Sequence, residues 1–231
     1  MKTNNKKILR IAHKGASGYA PENTLAAFTK AIALSADMIE FDVRLAKTGE
    51  VVVIHDAKVN RTTNGKGKVK NLTLSQLKSL DAGNGEKIPT LEEALIRIGD
   101  RAKININVKD VIALTPTIKI IQKYRREKNI TDDSIIVSAE KLGILLSAFK
   151  TPSVTTVPSL YIFPGLLLKF FKRKNPLAVT VYKRMLSKNL VALAHTFGIQ
   201  VYAWTVNDKN EIEQMKQMDV DGIITDFPDR V

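Results

Sequence analysis

Two imidazoles and a group of carboxylates crowd the first quarter of this chain, in His13-Lys14-Gly15, Pro21-Glu22-Asn23-Thr24, Ile39-Glu40-Phe41-Asp42 and His55-Asp56. In a strand from Met38 to Val43, side-chain alternation sends Glu40 and Asp42 to one face and Ile39, Phe41 and Val43 to the other. Carboxylates at i and i+2 repel each other unless a cation, a shared proton or basic neighbours compensate them. Two anionic oxygen donors suit a hard cation such as Ca²⁺ or Mg²⁺. His13 closes the apolar run 8–12 and His55 closes the run 50–54, so both imidazoles are expected at strand ends, where parallel α/β folds display catalytic groups. The set reads as a metal-assisted acid/base site. Glu40 and Asp42 could instead be surface charges on an edge strand, but their apolar neighbours argue for a central one. His195 has no such company and is expected to be a packing or surface residue.

Elements able to position these groups recur along the chain. Strand-like runs fall at 8–12, 38–43, 103–108, 134–138, 154–157, 178–181, 200–205 and 222–225, with 50–54 a further short one. Helix-like segments follow most of them, at 21–35, 91–98, 115–127, 188–196 and 209–218, and Asp208 is a natural cap for the last. Alternating β and α elements in this number fit either a (β/α)₈ barrel or a doubly wound open sheet, with an excursion over about 57–88. The 231 residues contain no linker or low-complexity stretch, so a single domain over 1–231 is expected.

Composition narrows the function classes. The absence of cysteine excludes disulfides, thiolate metal sites and a cysteine nucleophile. A formal net charge of +13 suggests anionic company, yet the lysines are scattered and no nucleic-acid motif accompanies them. The basic start 1–7 runs into His13 with no room for a signal-peptide core, so a cytoplasmic location is expected. Two uncharged stretches, 151–168 and 189–207, approach membrane-spanning length, but the first contains Pro152, Pro158 and Pro164 and the second is broken at Gly198. More pointed is 166–174, Leu-Leu-Leu-Lys-Phe-Phe-Lys-Arg-Lys, which is either an ordinary barrel helix or a segment making peripheral contact with anionic membrane.

Read together, His13-Lys14-Gly15-Ala16, Ala20-Pro21-Glu22-Asn23-Thr24, Glu40-Phe41-Asp42-Val43, His55-Asp56, Arg61-Thr62-Thr63-Asn64-Gly65 and Ile88-Pro89-Thr90-Leu91-Glu92-Glu93 resemble the glycerophosphodiester phosphodiesterase family. Trp204-Thr205-Val206-Asn207 and Asp221-Gly222-Ile223-Ile224-Thr225-Asp226-Phe227-Pro228 are similar to that family's last two strands. The resemblance implies a (β/α)₈ TIM-type barrel that hydrolyses small glycerophosphodiesters to glycerol 3-phosphate and an alcohol. It implies catalysis by His13 and His55, a divalent cation (Ca²⁺ or Mg²⁺) held by Glu40, Asp42 and the residue at 107, and phosphate or substrate contacts from Lys14, Lys109, Glu22 and Trp204. Glu22 also fits a plain helix start, and Trp204 could belong to the core.

Two positions depart from the family pattern. Asn107-Val108-Lys109 stands where the family usually has glutamate, any residue, lysine, which removes a negative charge from the implied cation site. An amide oxygen can still ligate such a cation, and Asp110 is a candidate substitute. Lys14 replaces the usual arginine and keeps the charge without the bidentate fork. Lysophospholipase D activity on a lysolipid is the neighbouring alternative, and a barrel that binds phosphodiesters with impaired catalysis is the other.

Overall fold

The computed structural model describes residues 7–130, 133–151 and 153–231, so the basic start up to residue 6 and Pro152 lie outside the described residues. Nine strands form: β1 (Leu9–His13), β2 (Met38–Leu45), β3 (Val51–Val53), β4 (Lys103–Val108), β5 (Ile135–Ala139), β6 (Thr155–Leu160), β7 (Ala178–Tyr182), β8 (Gln200–Trp204) and β9 (Gly222–Thr225). All except β3 run parallel, and β1 pairs with β9 on one side and β2 on the other. That double pairing settles the choice between open sheet and barrel: eight strands close on themselves and leave no edge.

Helices α1 (Leu25–Ala33), α2 (Leu74–Ser79), α3 (Leu91–Ile98), α4 (Val111–Lys128), α5 (Leu142–Ala148), α6 (Pro164–Phe171), α7 (Lys188–Thr196) and α8 (Lys209–Gln217) occupy the connections. The sequence explains them locally. Helix α3 buries Leu91, Ala94, Leu95 and Ile98 as one stripe, begins at a Thr90/Glu93 capping box and stops at Gly99 with φ 63°. Asp208 caps α8 by accepting from the amides of Asn210 and Glu211. Helix α1 starts later than the sequence suggests because Thr24, not Pro21, is its cap, accepting from the Ala27 amide. Helix α4 starts earlier than expected and carries Pro116 inside it. The missing N–H forfeits one bond to the carbonyl four residues back, at Ile112, which lies in an exposed first turn.

Inside the barrel, β1, β2, β5, β6 and β7 each step from apolar to polar over two residues. Ile11, Met38, Ile136, Val157 and Ala178 pack as a plug toward the strands' N-terminal ends. Two residues further along, His13, Glu40, Ser138, Ser159 and Thr180 face a pocket at the C-terminal ends. Burying the plug excludes water from beneath the polar layer and leaves the pocket open only at the rim.

The chain between β2 and α3 is an annex with its own core, in which Val52, Ile54, Val59, Val69, Leu77 and Ile88 pack together. Here one expectation is corrected. Strand β3 is antiparallel to β2, Val53 facing Val43, so His55 is not carried on the tip of a barrel strand. It reaches the rim on a returning hairpin, just past the end of β3.

Among the described residues no helix is long and apolar enough to cross a membrane. Residues 166–174 divide between α6, where Leu168 and Phe171 are buried while Leu166 and Phe170 are exposed, and a 3-10 turn at Lys172–Lys174.

Candidate active site

His13, Glu40, Asp42, His55, Asn107, Lys109 and Trp204 line one pocket at the barrel mouth, together with Asn105, Ser138, Glu140 and others. Lys14 and Glu22 border it instead: the Lys14 Nζ donates to Glu22 Oε1 at 3.1 Å. Asp110 stays outside, ion-paired to Arg44 at 2.7 Å and facing a second groove, so it does not substitute for the missing glutamate.

Strand β2 delivers both buried carboxylates. Glu40 Oε2 accepts the Lys14 amide at 3.1 Å, a contact made possible by the left-handed backbone of Lys14 at φ 54°. Burial, reinforced by the charge of Asp42, holds the Glu40 pKa above the usual carboxylate range, although His13, the Lys14 amide and Lys109 oppose the shift. Asp42 is more fully satisfied. Its Oδ2 accepts from Asn23 Nδ2 at 3.1 Å, its Oδ1 from Asn107 Nδ2 at 3.2 Å, and Lys109 Nζ lies 3.5 Å from Oδ1. Lys109 also donates to Glu140 at 2.8 Å. Burial alone would lower its pKa, but the charge of Asp42 and the contact with Glu140 raise it, so the ammonium is secure.

Both pocket histidines are held through Nδ1 by a carboxylate. His13 meets Asp226 Oδ1 at 2.7 Å, and Asp226 accepts further bonds from Ser17 and Asn207. His55 meets Asp56 Oδ1 at 2.6 Å, and Asp56 is forked by Arg61 at 2.7 and 3.1 Å. Arg61 makes a second fork to Glu22 at 2.7 and 2.8 Å. The two partners therefore differ in how their charge is compensated. Asp226 is supported by neutral donors and leaves its negative charge to His13. Asp56 shares its charge with a guanidinium, whose hydrogen bonds pull its pKa far below the ordinary value. Burial pulls the His13 pKa down, yet the Asp226 hydrogen bond and the Glu40 charge outweigh it and raise the net value. Burial likewise raises the Glu22 and Asp226 values, but Arg61 with Lys14 and His13 with Ser17 and Asn207 bring each down to about 2.

Several polar atoms facing this space have no hydrogen-bond partner within the protein: Asn107 Oδ1, both amide atoms of Asn105, and Trp204 Nε1. Orphaned, buried polar groups in a cavity await water or a ligand. For a cation, the donors on offer are carboxylate oxygens of Glu40 and Asp42 and the unpartnered Asn107 carbonyl oxygen, an all-oxygen set suited to a hard ion. Among the described residues no three His, Cys, Asp or Glu side chains form a metal cluster, so this fit rests on the amide.

Residues 13–230 match the profile of the Glycerophosphoryl diester phosphodiesterase family. The chain belongs to that family. It is 37% identical to a glycerophosphodiester phosphodiesterase of Caldanaerobacter subterraneus subsp. tengcongensis, covering 96% of each chain. A glycerophosphodiester phosphodiesterase of Bacillus altitudinis is 36% identical over 95% of each chain. The structure of an Oleispira antarctica phosphodiesterase in complex with the product sn-glycerol-3-phosphate superimposes with a TM-score of 0.87 at 27% identity, over 95% of this chain and 93% of that one.

Within this phosphodiesterase family barrel, the sequence by itself assigns no role to Asp226, Asn207, Asn23 and Arg61, and offers Asp56 only as one of the carboxylates crowding the first quarter of the chain. All five lie inside motifs that signalled the family, so a signal existed. What was missing was the pairing: Asp226 is 213 residues from His13 and Arg61 is 39 from Glu22. Asn105 gave no signal beyond being polar in an apolar strand, directly across from Glu40.

Proposed function

We propose that this enzyme hydrolyses glycerophosphodiesters to sn-glycerol 3-phosphate and a free alcohol through paired imidazole acid/base catalysis. The observation that carries this reading is the two carboxylate-held histidines facing one pocket whose wall also bears Glu40, Asp42 and Lys109. Support for the substrate class comes from the names of the relatives and from the product bound to the Oleispira antarctica enzyme.

Glu40, Asp42 and Asn107 would hold a divalent cation, Ca²⁺ or Mg²⁺, which when bound supplies charge stabilisation to the phosphoryl oxygens. The chain's own groups do the rest. A carboxylate on Nδ1 leaves Nε2 of each imidazole for the substrate. His55, whose partner charge is shared with Arg61, accepts the proton of the glycerol hydroxyl neighbouring the phosphate as that oxygen bonds to phosphorus. His13, biased toward imidazolium by Asp226, gives its proton to the departing alkoxide as the P–O bond breaks. The roles then reverse: His13 takes a proton from water attacking the cyclic diester, and His55 returns one to the glycerol oxygen. Lys109 balances phosphate charge from the pocket wall.

The test is turnover of glycerophosphocholine with Ca²⁺, Mg²⁺ or chelator, with His13→Ala as background. Metal-dependent release of glycerol 3-phosphate that disappears in the variant is expected, and full activity in His13→Ala would overturn the assignment. Ligand-induced stabilisation without turnover would favour the binding-only barrel. A lysolipid contains the same bond, and exposed apolar turns beside the mouth suit an acyl chain. Turnover of lysophosphatidylcholine above that of glycerophosphocholine would favour that second reading.

A further inference from the structure

Exposed apolar side chains are unevenly spread around the pocket mouth. Val111 and Ile112 follow β4, Leu142 follows β5, and Tyr161, Ile162 and Phe163 follow β6, each 45–73% exposed. Strands β4, β5 and β6 are neighbours in the barrel, so these turns join into one arc on the pocket side. Leu166 and Met185, after β6 and β7, extend it. Elsewhere among the described residues the exposed large apolar side chains are only Tyr19, Ile96, Phe170 and Leu177. A contiguous apolar surface of this kind marks a contact with something less polar than water. Local folding does not call for it: Phe163 sits at φ 41°, where glycine or asparagine would be relaxed and a bulky aromatic is not.

Charge identifies the contact. The carboxylates in the turns after β4 to β7 are Asp110 and Glu140, and each is neutralised by an ion pair, to Arg44 and Lys109 respectively. The cations are less matched. Lys68 and Lys70 share a groove with Val111 and Ile112, Arg184 precedes Met185, and none of the three has a carboxylate partner among the described residues. An apolar arc edged with uncompensated cations, on a chain of net charge +13, complements a bilayer that presents anionic headgroups above acyl chains.

We propose that the arc formed by the turns after β4, β5 and β6 docks onto anionic membrane and sets the pocket mouth against the headgroup layer. This differs from the segment the sequence suggested. Helix α6 starts at the rim and leads away from it, so Lys172–Lys174 lie at its far end and only Leu166 joins the arc. Docking stands on the surface alone and is read without turnover, so its failure is distinct from failure of the hydrolytic reading.

The experiment is co-sedimentation with vesicles of phosphatidylcholine alone and of phosphatidylcholine with one-third phosphatidylglycerol. The wild type is expected to bind the anionic vesicles and to release as salt rises. Ile162→Ser combined with Phe163→Asn, the latter suited to the left-handed backbone, should weaken that binding about tenfold. Lys68→Glu with Lys70→Glu should remove its dependence on anionic lipid. Turnover of soluble glycerophosphocholine by both variants should match wild type and serves as the folding control. No wild-type binding, equal binding to neutral and anionic vesicles, or undiminished binding by the apolar variant would overturn the proposal. So would a concentration-dependent dimer in sedimentation velocity that the apolar variant abolishes, which would assign the arc to a second copy of the chain.

Discussion

The turns after β1, β2, β8 and β9 and those after β4 to β7 surround the same pocket but are built by different rules. On the first side, charged and polar groups hold one another: Asp226 joins His13, Ser17 and Asn207, while Arg61 bridges Asp56 and Glu22. Its exposed aromatic, Tyr19, has its hydroxyl on Asp229. On the second side, Lys109 and Glu140 reach inward, and the exposed large apolar side chains of Val111, Ile112, Leu142 and 161–163 gather outside them. A fixed network locks both imidazoles by their Nδ1 atoms, so the proposed acid/base work falls to the first side. A surface with few internal bonds is free to meet something else. On these two proposals, chemistry and contact occupy opposite halves of one rim.

Substitutions on the two halves should separate accordingly. The largest loss is expected for His13→Ala or His55→Ala, about 10²- to 10⁴-fold in kcat on glycerophosphocholine, with the far-UV circular dichroism melt unchanged. Arg61→Ala follows: freeing Asp56 and Glu22 lets the His55 dyad wander, and kcat should fall about 10- to 100-fold. If it does not, the network is ornamental and the contrast between halves fails. Asn107→Glu restores a third carboxylate beside Glu40 and Asp42, so calorimetric titration should give Mg²⁺ or Ca²⁺ affinity about tenfold tighter. Unchanged affinity would remove residue 107 from the cation site. Asp226→Asn tests the assignment of the acid. A histidine with a raised pKa that must be protonated loses function as pH rises through that pKa. With the Asp226 charge gone, burial lowers the pKa, so the basic limb of the kcat/KM profile should move to lower pH. The smallest effect is expected on the other half, where Leu142→Ser should leave turnover of the soluble diester unchanged.

Local sequence was enough for what depends on a few neighbouring residues. Alternation over β2 placed Glu40 and Asp42 together facing the pocket, Asp208 marked a helix start, and the segments expected at 91–98 and 188–196 coincide with α3 and α7. The motifs also carried the family, and with it the expectation of a barrel. Tertiary structure alone decided what depends on closure. Pairing of β1 with both β2 and β9 selects the barrel over an open sheet and brings Asp226 to His13. The antiparallel hairpin, not a barrel strand, presents His55. Neighbouring strands gather apolar residues from separate turns into one arc, although in sequence they are short groups at 111–112, 142 and 161–163. The physical reason is range: propensities and caps act within one or two turns of chain, whereas ion pairs and surfaces form between residues that only the closed sheet makes adjacent.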